Sequence, residues 1–158
     1  MTRREFENLL EDAYEDDVVE LAMSYFPPMA PHPESTYLIG HPIQMIWDAD
    51  ARILAGGFWH YFTTSLTSPM EMPSQFSRYG LDELAALLTL ANERFEDSMP
   101  PFRGNKSQDE FEWELAQTGL TEADFVPHLT IYRQLSREIP GQLASYIRAF
   151  PHEFGPTD

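Results

Sequence analysis

The chain has no cysteine in its 158 residues. Disulfides, thiolate zinc sites, iron–sulfur clusters and cysteine nucleophiles are thereby excluded, and a reducing compartment fits. No run of about 18 or more apolar residues occurs, so no membrane-spanning helix is predicted. No apolar stretch follows Arg3 and Arg4, so no secretory signal is predicted either, and the expected location is cytoplasmic. Basic residues are scarce. Ten Lys and Arg face 26 Asp and Glu, a formal net charge of −16. Nucleic acid and anionic membranes meet long-range repulsion from such a chain, whereas a basic protein is attracted. Alternating apolar and polar runs long enough for a strand are also missing, as is any internal repeat.

What is present is core material. Hydrophobic residues make up 42% and aromatics 13%, and the length suits one domain. The whole chain, 1–158, reads as a single all-α domain in three stretches. Residues 3 to about 25 carry Phe6, Leu9, Leu10, Ala13, Tyr14, Val18, Leu21 and Tyr25 at helical spacing, behind a Thr2/Glu5 capping box. Asp17 falls on the apolar side, so the helix breaks near Glu15-Asp16-Asp17 or Asp17 caps a second one. Pro27, Pro28, Pro31 and Pro33 make residues 26–42 an irregular connection. Residues 43–152 read as the helical core. Its segments are Ile43 to Gly56-Gly57, Phe58 to about Thr64, and a long helix from about Ser74 or Leu81 to Phe95, closed by Pro100-Pro101. Ser107–Gln117, a start at Thr121 and a last helix from Gly141 to Phe150 follow, with Gly119 as a stop.

The densest stretch is Ala55-Gly56-Gly57-Phe58-Trp59-His60-Tyr61-Phe62. Its glycines match neither the dinucleotide fingerprint nor the P-loop. Phe58, Tyr61 and Phe62 stand at i, i+3 and i+4, one helical face, which predicts core packing and not a ligand cage. His60 reads as a structural, hydrogen-bonded histidine.

Together with Arg78-Tyr79-Gly80-Leu81, the stripe Leu84, Leu88, Ala91 and Phe95, and Gln142–Arg148, this Gly-Gly-Phe-x-x-Tyr-Phe segment resembles a bacterial helical family that includes a DNA mimic protein. The similarity covers roughly residues 43–152. Ala55 stands where that family usually has asparagine, Thr63-Thr64 replaces a later asparagine, and Ser65-Leu66-Thr67 lacks the glycine turn that often follows. The resemblance implies an all-α fold, a possible homodimer, and an acidic surface that occupies the DNA-binding face of a regulator.

The acids themselves are clustered. Residues 1–24 hold Glu5, Glu7, Glu11, Asp12, Glu15, Asp16, Asp17 and Glu20 against Arg3 and Arg4 alone. On one continuous helix, Glu5, Asp12 and Asp16 fall on a single strip with Glu15 at its edge. A second cluster is Asp109, Glu110, Glu112 and Glu114, extended by Glu122 and Asp124. Helix neighbours three or four apart lie about 5–6 Å from each other. DNA phosphates rise about 3.4 Å per nucleotide of one strand, so a carboxylate row approximates a phosphate row. The expected partner is a basic DNA-binding protein, or alternatively a basic toxin such as a nuclease, blocked in the manner of an immunity protein. Trp113 and Tyr25 are the expected aromatic anchors. A solvated acidic face is the plainer reading of both clusters.

Catalytic signals are weak. His32, His41, His60, His128 and His152 form no metal-ligand spacing, and no GxSxG elbow occurs. Asp48 and Asp50, two apart on a helix, diverge, which predicts surface roles for both. No enzyme activity, cofactor or metal is expected. The methionines, among them Met99, read as gap-fillers.

Overall fold

A computed structural model describes residues 1–95 and 101–157. The helix stop at Pro100 and the gap-filling role of Met99 lie outside the described residues. In chain order the elements are α1 (Arg3–Asp12), α2 (Glu15–Met23), β1 (Ala30–Pro31), β2 (Leu38–Ile39), α3 (Pro42–Thr64), α4 (Met72–Arg78), α5 (Asp82–Glu93), α6 (Gln108–Gln117), α7 (Val126–Leu135) and α8 (Ile139–Ala149). The class is all-α, with one short antiparallel ribbon pairing Ala30 with Ile39 and Pro31 with Leu38. The chain divides into two units, Met1–Pro28 with Arg137–Asp158, and Met29–Ser136. The stretch 43–152, read as one core, spans that division, because α8 belongs with α1 and α2.

In the first unit the capping box forms. Thr2 N–H donates to the Glu5 carboxylate at 2.7 Å, and Glu5 N–H donates to Thr2 Oγ1 at 3.2 Å. The single strip along residues 3–25 does not form. Ala13 and Tyr14 are extended, with ψ of 154° and 159°, and α2 starts afresh at Glu15. The reason is phase. An unbroken helix would turn Asp17 inward, whereas the break leaves Asp17 exposed and buries Val18, Val19 and Ala22. Those residues pack on α8, which buries Ile139, Leu143, Ala144 and Ile147. Two arginines satisfy backbone carbonyls. Arg148 donates to Leu10 O at 2.7 Å and to Ala13 O, closing the C-terminal end of α1. Arg3 donates to the carbonyls of Pro151, Phe154 and Pro156.

In the second unit α3 kinks at Gly57, where φ is 84° and ψ −177°. That conformation is open to glycine and closed to other residues. The helix restarting at Phe58 is capped from afar, since Trp59 N–H donates to Glu122 Oε2 at 2.7 Å. Glu122 opens a short 3-10 turn, Glu122–Phe125, ahead of α7. A side chain at Gly57 would collide with that carboxylate. Phe58, Tyr61 and Phe62 are buried with Phe95, Phe125 and Tyr132, with Phe62 edge-on to Phe95 at 5.0 Å and Phe58 edge-on to Tyr132 at 5.7 Å. The Gly-Gly-Phe segment is therefore core, as its spacing predicts. The long helix to Phe95 is two helices. The later start, Leu81, matches α5, and the earlier start falls in α4, with Gly80 (φ 79°) between them.

Candidate functional site

α6 is an acidic helix whose solvent face is led by a tryptophan. Ser107 caps it, accepting from Glu110 N–H at 3.2 Å. Phe111 and Leu115 are buried, and Trp113 stands about 160° round the axis from Phe111. Its indole is consequently 65% exposed, as expected of an anchor. Asp109, Glu110 and Glu114 line the same open depression beside it. The four acids are not equivalent. Glu114 pairs with Lys106 at 3.1 Å, and Glu112 accepts from Gln108 Nε2 at 2.8 Å. Asp109 and Glu110 are exposed and make no ion pair among the described residues. Both occupy the first turn, where the helix dipole favours carboxylates without any partner. Glu122 and Asp124 do not extend this cluster. Glu122 turns to Trp59, and Asp124 accepts from Arg94 at 3.3 Å and from Thr121 N–H at 2.8 Å.

The N-terminal acids are arranged differently from expectation. Glu5 sits in the capping box and Asp12 at the end of α1, while Glu15 and Asp16 open α2. The break at Ala13–Tyr14 therefore divides the strip Glu5–Asp12–Asp16 between two helices. Around the break, Ala13, Tyr14, Glu15, Asp16 and Arg148 enclose an open depression. Arg148 uses its donors on carbonyls, so Asp12 and Asp16 have no ion pair among the described residues. The Glu15 carboxylate stands over Gly141, in the first turn of α8, a position its charge favours. Tyr14, expected on the buried stripe, is 85% exposed. The inward phase of Asp17 is the signal that could have placed it outside. Tyr25, expected as an anchor, is 38% exposed and lies edge-on to Phe6.

The expected surface role of Asp50 is corrected. Its Oδ1 accepts from the Tyr132 hydroxyl at 2.7 Å. Burial pushes the carboxyl from its ordinary 3.8 up to about 6, against the lowering effect of that hydrogen bond. The Tyr132 hydroxyl is pushed up in turn by its own burial and by Asp50. Close by in this core, the Tyr61 hydroxyl is buried without a hydrogen-bond partner among the described residues. Asp48 pairs with Arg52 at 3.1 Å, so the two aspartates do diverge. Among the described residues, no group of three or more His, Asp or Glu is placed to hold a metal ion, and no helix is long and apolar enough to cross a membrane.

Compared with known proteins, the chain matches no family model, no curated protein and no solved structure.

Proposed function

We propose that this is a non-enzymatic acidic protein that binds a basic protein surface and competes there with nucleic acid, in the manner of a DNA mimic. The observation that carries the reading is Trp113, exposed on the crest of α6 beside Asp109 and Glu110, which make no ion pair among the described residues. Tryptophan is enriched among the residues that carry binding energy at protein interfaces. Set among carboxylates, its ring supplies apolar contact and a cation-binding face, while the acids pair with Lys and bidentately with Arg. Tyr14 beside Glu15 and Asp16 offers the same combination on the other acidic segment.

The test is binding to basic DNA-binding proteins over a salt series. Affinity should fall as salt rises, and DNA should displace the chain from its partner. Asp109→Lys/Glu110→Lys should weaken binding about tenfold or more, at a stability cost of about 0.3–1 kcal/mol per charge from the helix dipole, and Trp113→Ala about as much at unchanged melting temperature. Salt-independent affinity would overturn the reading. A partner that is a nuclease instead of a regulator would redirect it to toxin inhibition.

A further inference from the structure

The proline-rich connection carries a recess that the acidic helices do not use. It lies between the β1–β2 ribbon, the 65–71 loop and Phe102, and encloses about 190 Å³. We propose that it binds a small organic cation, a guanidinium or ammonium head on a short apolar stem.

The lining states the chemistry. Glu34 and Glu71 bring two carboxylates, neither in an ion pair among the described residues, and no Lys or Arg lines the recess. The Ser68 hydroxyl is sealed from solvent and has no hydrogen-bond partner among the described residues, in a residue only 6% exposed. Turning that hydroxyl toward the recess would give a cationic N–H donor an acceptor. Tyr37 and Phe102, with ring centroids 5.5 Å apart, add aromatic surface, and Leu38 and Ile39 add aliphatic surface for a stem. His32 accepts from Glu34 N–H through Nδ1 at 2.9 Å, which leaves the proton of the neutral ring on Nε2.

The walls are held before any ligand arrives. Leu38 N–H donates to Leu66 O at 2.6 Å, Thr36 N–H to Gly104 O at 2.8 Å, and Arg103 N–H to the Tyr37 hydroxyl at 3.0 Å. Such preorganisation lowers the ordering cost of binding. The volume falls below the roughly 300 Å³ at which drug-sized pockets begin, so one side chain or a small amine fits. The site shares no residue with the acidic helices, and its occupancy does not depend on the function proposed for them.

The experiment is an amide NMR titration of the full chain with n-propylguanidine and n-butylamine, with n-butanol and butyrate as controls. Saturable shifts at Leu38, Ile39 and Ser68 with the two cations only are expected. Glu34→Gln/Glu71→Gln should weaken them about tenfold or more without lowering the melting temperature. Equal affinity for n-butanol, or no saturable shift with either cation, overturns the proposal. An arginine-rich peptide that displaces n-propylguanidine at these amides assigns the head group to a partner's side chain. A peptide that leaves the shifts intact assigns it to a free small molecule.

Discussion

Replacing Gly57 by alanine tests the centre of the second unit. Two effects add. The backbone at φ 84°, ψ −177° is a glycine conformation, and holding alanine there costs about 1–3 kcal/mol. The new methyl also displaces the Glu122 carboxylate, which takes the acceptor from Trp59 N–H. Losing a hydrogen bond to a charged group costs about 1.5–3 kcal/mol. The sum is about 2.5–6 kcal/mol, against a total domain stability of about 5–15. With a mid-range urea slope of about 2 kcal/mol per molar, the midpoint should fall by about 1–3 M. A double-mutant cycle separates the parts. Glu122→Ala alone should cost about 1.5–3 kcal/mol by orphaning Trp59 N–H. Added to Gly57→Ala it should cost little more, because the carboxylate has already moved. A Gly57→Ala loss under about 1 kcal/mol, or strictly additive effects, would refute the account of a carboxylate-capped kink.

Asp50 gives a pH test with a definite sign. Its unfolded carboxyl ionises near 3.8 and its folded one near 6, so the unfolded state holds fewer protons between those values. Stability therefore drops as pH rises through that window and levels off above it. Asp50→Asn, whose amide oxygen still accepts from Tyr132, should gain on the wild type across about pH 4–6, by up to about 2–3 kcal/mol above it. A gap constant with pH would count against the buried placement. Arg148→Ala should destabilise the first unit by about 1–3 kcal/mol, through the carbonyls of Leu10 and Ala13 left without a donor. Hydrogen exchange along α1 would read it, and unaltered protection at its C-terminal turn would contradict the proposed cap.

Local signals in the sequence were legible where one segment decides its own structure. Thr2 and Ser107 cap their helices, Gly119 takes φ 75° after α6, and the 58-61-62 face is buried. Long-range decisions were not. Glu122 lies 63 positions from the N–H it caps, and nothing near Glu122 hints at it. Asp50 looks like any helical surface acid until Tyr132, 82 positions on, closes over it. The recess at Ser68 is assembled from three loops, none of which has a motif. Of the acidic sites, Trp113 was legible because α6 is short and regular. Tyr14 was not, because a two-residue break rephased everything after it.

Because Met1–Pro28 joins Arg137–Asp158, the first unit is discontinuous in sequence while the second is an uninterrupted segment. During synthesis, α1 and α2 emerge before α8 and wait for it, and the intervening segment can complete its own structure beforehand. α1 and α2 thus precede in the chain the helix on which they pack. Carboxylates on α1 and α2 repel those of another copy, which works against association while these helices stand open.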